Sequence, residues 1–184
     1  MNKAVFLDRD GTINIDKNYL YRKEDFEFMP GAIDGLKKLQ EAGYLLIVIT
    51  NQSGIARGYY TEADYEKLTE YMKSELQKKG VFLTDVLYCP HHPEGVISEY
   101  RINCDCRKPK LGLFYEAINK WNVDINNSIA IGDKVRDLEI CKETKCRGIL
   151  IGNKVEKDNE FRTIDNWKLL PKFCNEYFNL IIYK

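Results

Sequence analysis

No apolar run in this 184-residue chain is long enough to cross a bilayer, and its start, Met1-Asn2-Lys3, carries none of the hydrophobic stretch of a secretory signal. An excess of charge is missing too, because 28 lysines and arginines face 28 aspartates and glutamates. A general basic field for nucleic acid is thereby excluded, and so is a long like-charged tail. There is no Gly-x-x-x-x-Gly-Lys-Ser/Thr loop, which argues against a kinase or transferase built on a P-loop. Histidine occurs only twice, beside six unevenly spaced cysteines, and nothing argues for the oxidising compartment in which disulfides persist. These absences predict a soluble cytoplasmic protein with no membrane and no nucleic-acid partner. The length suits a single domain, 1–184, and a monomer is expected.

What the chain does have is an alternation of two patterns. Short apolar, β-rich runs recur at Val5–Leu7, Leu45–Ile49, Val86–Tyr88, Ile129–Ile131 and Ile149–Ile151, with a possible late edge strand at Leu180–Tyr183. Runs that are apolar on both faces suit strands of a parallel sheet covered by helices. Between them lie amphipathic stretches. Ile33, Leu36 and Leu39 follow Pro30-Gly31 and stop at Gly43, and Tyr65, Leu68, Met72 and Leu76 form a stripe behind the cap-like Thr61-Glu62-Ala63-Asp64. Leu113–Trp121 and Val135–Thr144 predict two more helices. The expected fold is an α/β, doubly wound, mainly parallel sheet. Residues 89–112 are the exception: they are rich in Pro, Gly, Cys and His, with no steady period, and a loop of that length needs its own support or a function.

Polar clusters stand at the expected carboxyl ends of the strands, where ligands bind in such sheets. The first run ends in Asp8-Arg9-Asp10-Gly11-Thr12, the second in Thr50-Asn51-Gln52-Ser53-Gly54, and the fourth in Gly132-Asp133-Lys134, with Asp137 one turn on. Two carboxylates so close repel each other unless a proton or a cation intervenes. Mg2+ takes oxygen ligands and needs only one or two carboxylates beside substrate oxygens, which Asp8 and Asp133 can supply. A carboxylate can also attack phosphorus, and a second one two positions on can protonate the leaving oxygen and then deprotonate water. Thr50, the backbone near Asn51 and a lysine suit the phosphoryl oxygens.

These residues resemble the haloacid dehalogenase-like phosphatases. Their D-x-D-G-[TV] motif matches Asp8–Thr12, their Thr or Ser after an apolar strand matches Thr50, their lysine before a helix matches Lys108 in "CRKPKLGL", and their G-D-x-x-x-D matches Gly132–Asp137, all in the same order. The resemblance implies a Rossmann-like fold, with Asp8 as nucleophile, Asp10 as general acid/base, and Thr50 and Lys108 as phosphate clamps. It implies Mg2+ on Asp8, Asp133 and the backbone carbonyl of Asp10, with Asp137 in support.

"CPHHPEGVISEYRINCDCRKP" contains two ligand pairs, Cys89-x-His91 and Cys104-x-Cys106, and three thiolates with one imidazole make a tetrahedral Zn2+ set. Closing the loop through zinc would stabilise a segment with few apolar residues of its own, so a structural site is expected, with His92 as the second choice for the imidazole. A redox pair and unrelated thiols are the competing readings. Cys141, Cys146 and Cys174 read as buried or incidental thiols.

Together, "FLDRDGTIN", "TNQSGIARG", "CPHHPEG…CDCRKP" and "GDK" resemble the D,D-heptose 1,7-bisphosphate phosphatases over residues 4–152. This similarity implies a capless phosphatase that removes the 7-phosphate of a phosphorylated sugar for nucleotide-activated heptose, as used in lipopolysaccharide or other surface glycans. It implies zinc on Cys89, His91, Cys104 and Cys106, and substrate contacts at Asn51, Ser53, Arg57, Arg107 and Lys134 as well as Lys108. Arg57 and Arg107 suit a second, non-reacting phosphate, because guanidinium forks match phosphate oxygens. The rivals are histidinol-phosphate phosphatase and a non-catalytic binding protein on the same fold. "NQSGIARG" favours the heptose enzymes over the first, and the intact acidic and basic set argues against the second.

Overall fold

The computed structural model describes residues 1–152 and 160–179. Six strands, β1 (Ala4–Leu7), β2 (Leu45–Asn51), β3 (Asp85–Cys89), β4 (Ile129–Gly132), β5 (Arg147–Ile151) and β6 (Arg162–Ile164), form one sheet in the order β3-β2-β1-β4-β5-β6. All five pairings are parallel. The β-branched runs predicted strands, and alternation assigns their faces. Val5, Leu7, Leu46, Val48, Ile129 and Ile131 point into one core, while Ala4, Phe6, Ile47, Ile49 and Ala130 point into the other.

Helices cover both faces. The first core takes α1 (Ala32–Glu41) through Leu36 and Leu39, α2 (Glu62–Lys78) through Met72 and Leu76, and α5 (Leu170–Phe178) through Phe173 and Cys174. The second takes α3 (Gly112–Trp121) through Leu113, Phe114 and Ala117. Helix α2 opens as its sequence promised, with Thr61 and Asp64 in a reciprocal capping box. The order reverses between β1 and β4, so a crevice opens at the carboxyl ends of those two strands, the switch point of a doubly wound sheet. Among the described residues, the stretches between β1 and α1 and between β3 and α3 hold loops and short 3-10 turns, which is compatible with an uncapped crevice. No helix among the described residues is long and apolar enough to cross a membrane.

The expected helix over Val135–Thr144 is corrected. A 3-10 turn covers Val135–Leu138, and α4 is the single turn Ile140–Glu143. Asp137 interrupts the helix because its carboxylate turns back to accept the Lys134 backbone N–H at 3.0 Å and to pair with Lys108. The Thr144 hydroxyl then donates to the Ile140 carbonyl at 2.6 Å and closes the turn. The expected strand Leu180–Tyr183 lies outside the described residues. Strand β6 was not anticipated, and neither was the part played by the closing stretch. Trp167 packs so tightly over Gly35 that a Cβ there would lie 2.4 Å from its ring, and its indole N–H donates to the Thr12 carbonyl at 2.8 Å.

Candidate active site

The first polar cluster begins where β1 ends. The Asp8 backbone N–H still bonds the Ile131 carbonyl at 3.0 Å, and then the chain turns sharply, with Gly11 N–H on the Asn14 carbonyl at 2.7 Å. Gly11 has φ +87°, and a Cβ on it would stand 2.5 Å from Asp133 Oδ2. Glycine is therefore required here twice over, for the left-handed backbone and for the close approach of the β4 loop.

Lys108 sits beneath the crevice, 3% exposed. Its ammonium donates to Asp8 Oδ1 at 2.7 Å, to Asp137 Oδ1 at 2.7 Å and to the Ile49 carbonyl at 2.6 Å. One ammonium thus serves a group of three carboxylates, since ligand oxygens of Asp8, Asp133 and Asp137 lie within 4.8 Å of one another. Burial raises the Asp8 carboxyl to about 7 against the pull of Lys108, and Asp137 and Asp133 push it in the same direction. Burial likewise raises Asp133, whose Oδ1 is enclosed without a partner. An acidic group short of positive charge, with an orphaned oxygen, fits a hard divalent cation.

Asp10 differs. Burial acts upward on it, but Arg9 and hydrogen bonds from Asn14 and Gln52 prevail and hold its carboxyl below the usual range. Arg9 is itself buried and reaches Asp10 Oδ2 at 2.9 Å. Asn14 donates to Asp10 Oδ1 at 2.9 Å and Gln52 to Oδ2 at 3.0 Å.

Asp8, Asp10, Thr50, Asn51, Ser53, Arg57, Arg107 and Lys134 all line one crevice of about 340 Å3. The Asn51 amide is committed to the Lys108 backbone, accepting its N–H and donating to its carbonyl, both at 3.0 Å. Lys134 Nζ leans between Asp133 at 3.3 Å and Asp16 at 3.7 Å. Arg57 and Arg107 line the crevice from the loops after β2 and β3, Arg136 lines it too, and none of the three has a carboxylate partner among the described residues. Burial lowers the Arg107 pKa, and the charges of Arg136 and Arg57 add to the lowering.

Sequence reasoning missed Arg9, Gln52, Asp16, Tyr19, Tyr60 and Arg136, all of which line the crevice or touch Asp10. Gln52 follows two predicted site residues directly, so strand-end placement was a usable signal for it. Arg9 and Arg136 fill the variable positions of their motifs, where spacing carries no information.

The Cys/His loop closes on itself. Cys89 Sγ lies 3.5 Å from Cys104 Sγ and 3.7 Å from His91 Nδ1, Cys106 Sγ lies 3.2 Å from Cys104 Sγ, and His91 Nδ1 lies 3.3 Å from Cys106 Sγ. These separations far exceed a disulfide bond of about 2.05 Å and approach the edges, roughly 3.5–3.8 Å, of a tetrahedron around a metal with 2.0–2.3 Å bonds. All four ligand atoms fall within 4.8 Å, so the group could hold a metal ion. Burial raises Cys89 well above the usual thiol range and Cys106 to about 11, whereas hydrogen bonds from both sulfurs lower Cys104. Two of the three crowded sulfurs, Cys89 and Cys106, thus resist losing their protons, and a cation at the centre would remove that penalty. His92 stands apart, with Nε2 3.1 Å from Arg57 Nη2 and Nδ1 accepting the Glu94 N–H at 3.1 Å.

Comparison with known proteins adds an independent line. The family described as polynucleotide kinase 3 phosphatase matches residues 3–166. The D-glycero-beta-D-manno-heptose-1,7-bisphosphate 7-phosphatase of Haemophilus influenzae is 51% identical over 139 residues, which are 76% of this chain and 75% of that relative. The D-glycero-alpha-D-manno-heptose-1,7-bisphosphate 7-phosphatase of Photorhabdus laumondii is 48% identical over 136 residues, 74% of each protein. Among solved structures, D,D-heptose 1,7-bisphosphate phosphatase from B. bronchiseptica, complexed with magnesium and phosphate, superposes with a TM-score of 0.76 at 25% identity, covering 92% of this chain and 99% of that one. A HAD-like protein from Mesorhizobium loti gives 0.83 at 32% identity over 93% of this chain and 83% of that one.

Proposed function

Because the chain belongs to the polynucleotide kinase 3 phosphatase family, and within it to the D-glycero-D-manno-heptose-1,7-bisphosphate 7-phosphatases of the haloacid dehalogenase superfamily, we propose that it hydrolyses the 7-phosphate of that bisphosphate in the synthesis of nucleotide-activated heptose. The observation that carries this reading is the Asp8 carboxylate, 11% exposed, placed at the switch point with Lys108 at 2.7 Å and Asp133 beside it.

Asp8 Oδ attacks phosphorus in line with the leaving sugar oxygen and becomes an aspartyl phosphate. Asp10 is the acid/base: release from at least one of the donors that hold it ionised lets it take up a proton as substrate binds, which it gives to the leaving oxygen as the bond breaks and replaces with a proton from the attacking water. Thr50 and Lys108 stabilise the phosphoryl oxygens as negative charge redistributes. Asp8, Asp133 and the Asp10 carbonyl would hold Mg2+, which supplies positive charge to the nucleophile and the phosphoryl group. Asp137 stays outside that shell, because one oxygen pairs with Lys108 and the other accepts the Lys134 N–H.

Zinc on Cys89, His91, Cys104 and Cys106 would play a structural part. It would fix the loop from which Arg107 and Lys108 project directly after Cys106. Arg57 and Arg107, joined by Arg136, line one crevice without carboxylate partners among the described residues, as a site for the non-reacting phosphate would require. Ser53 and Lys134 border the same space. One sheet joins both ends of the described chain, supporting a single domain over 1–184. Reduced thiols gathered as ligands suit the cytoplasm, and a monomer is the simplest working unit.

The test is phosphate release from both anomers of the heptose bisphosphate, from histidinol phosphate and from fructose 1,6-bisphosphate. A clear preference in kcat/KM for a heptose bisphosphate is expected, and a preference for histidinol phosphate would overturn the assignment. Arg107→Ala should impair the bisphosphate far more than a heptose 7-monophosphate. Equal impairment of the two would remove the second-phosphate role.

A further inference from the structure

Gln52 has no part in the chemistry described so far, yet it is 2% exposed and makes four side-chain hydrogen bonds, as many as an amide can. Its Nε2 donates to Asp10 Oδ2 at 3.0 Å and to Thr50 Oγ1 at 2.9 Å. Its Oε1 accepts from the Tyr60 hydroxyl at 2.6 Å and from Arg9 Nη2 at 3.2 Å. Chemistry fixes which end of the amide faces which partner. A guanidinium only donates, so the atom facing Arg9 must be the oxygen, and the NH2 group must face Asp10 and Thr50.

That orientation has a consequence for Thr50. Its oxygen already accepts a proton from Gln52, so its own O–H must point elsewhere. Among the described residues no acceptor takes that proton. Thr50 borders the same crevice as Asp8, and a phosphoryl group seated on Asp8 presents only acceptor oxygens. We propose that Gln52 is a positioning residue: locked by Arg9 and Tyr60, its amide obliges the Thr50 hydroxyl to donate to the transferring phosphoryl group, while its other N–H steadies Asp10. Resting on the phosphatase reading above, this places the control of one phosphate clamp in a buried amide whose four hydrogen bonds all go to protein groups.

The reverse arrangement shows why glutamine is needed. A carboxylate of the same shape at position 52 would accept, not donate. Thr50 would then turn its proton inward toward residue 52, and the phosphoryl oxygen would lose its donor.

The experiment uses the full chain with Mg2+, measuring kcat/KM on p-nitrophenyl phosphate and competitive inhibition by inorganic phosphate. Q52E should lower kcat/KM by about 100-fold, the cost of one oriented donor, and raise the phosphate inhibition constant by about tenfold. In T50V the same substitution should cost at least about tenfold less, because the two residues act as one unit. Q52E activity within threefold of wild type, or losses in the double variant that simply multiply, would overturn the proposal. Should Q52E not fold, Y60F removes one lock on the amide and keeps the ring. A loss that shrinks in T50V supports the proposal, and unchanged activity overturns it. Wild-type protein inactive on every phosphate ester would instead overturn the phosphatase assignment itself, so the two failures are distinguishable.

Discussion

Lys108 Nζ stands 2.7 Å from Asp137 Oδ1, with only 2% and 3% of the two side chains exposed. This pair ties the end of the Cys/His loop to the turn after β4, and the same ammonium reaches Asp8 on β1's end. Removing the ammonium strands the buried Asp137 carboxylate and leaves Asp8 without its cation. Lys108→Met should cost about 3–5 kcal/mol of stability, the usual penalty for orphaning a buried charge. Adding Asp137→Asn should recover part of the melting temperature but none of the activity. If the double variant melts no higher than the single one, the pair is not the source of the loss.

Asp8→Asn should lower kcat by at least about a thousandfold, because an amide cannot form the acyl phosphate. The fold should persist, since asparagine can still accept from Lys108. A variant that kept near-normal turnover would rule out attack by residue 8. Trapping with a fluoride mimic of phosphate should place density on its carboxylate in the wild type alone.

The Asp8 carboxyl is raised from 3.8 in the unfolded chain to about 7 in the folded protein. The folded state therefore binds this proton more tightly. The resulting stabilisation of the metal-free protein is complete below about pH 4 and is lost as the pH rises through about 7. Asp10, held low, has the opposite slope, but only below its ordinary 3.8. Mg2+ competes with the proton on Asp8, so the rise in Tm on adding Mg2+ should grow between about pH 5 and pH 8. A magnesium shift equal at both pH values would contradict the assignment of Asp8 as ligand.

Cys104→Ser should release stoichiometric zinc and lower Tm by roughly 6–12 °C, corresponding to a loss of about 3 kcal/mol for a chain of this size. Activity should fall with it, because Arg107 and Lys108 follow Cys106 immediately. Zinc content measured after purification under reducing conditions checks the first part. A fully active zinc-free variant would separate the loop from the phosphate site.

Trp167→Ala should cost about 3–5 kcal/mol by emptying a fully buried site. Gly35→Ala should cost about 1–3 kcal/mol, since the added carbon meets the Trp167 ring at 2.4 Å. Chemical denaturation of both variants measures this. Unchanged midpoints would show that the closing stretch does not complete the core.

Five strands and three of the longer helices were legible in the sequence because period and composition act locally. "LLIVI" can only be buried on both faces, and Thr61 with Asp64 caps the helix it precedes. The motif residues were legible for a related reason: carboxylates, glycine and threonine at strand ends leave few chemical readings. Strand β6 was not legible, because Arg162–Ile164 is three residues long and its first two positions are exposed. The same holds for the break at Asp137, which local pattern calls helix and a distant lysine overrules. His91 was the first choice from its one-residue step to Cys89, and the path of the loop brings His91, not His92, among the sulfurs.

Local pattern was enough to set the alternation of strand and helix and the chemical types gathered at the strand ends. Which of those groups face one another emerges on folding: Lys108 between Asp8 and Asp137, Gln52 between Asp10 and Thr50, and Trp167 against Gly35. The physical reason is range. Backbone propensity and amphipathic period are set by residues a few positions apart, whereas charge pairing, amide orientation and close packing depend on groups that only the folded sheet brings within reach.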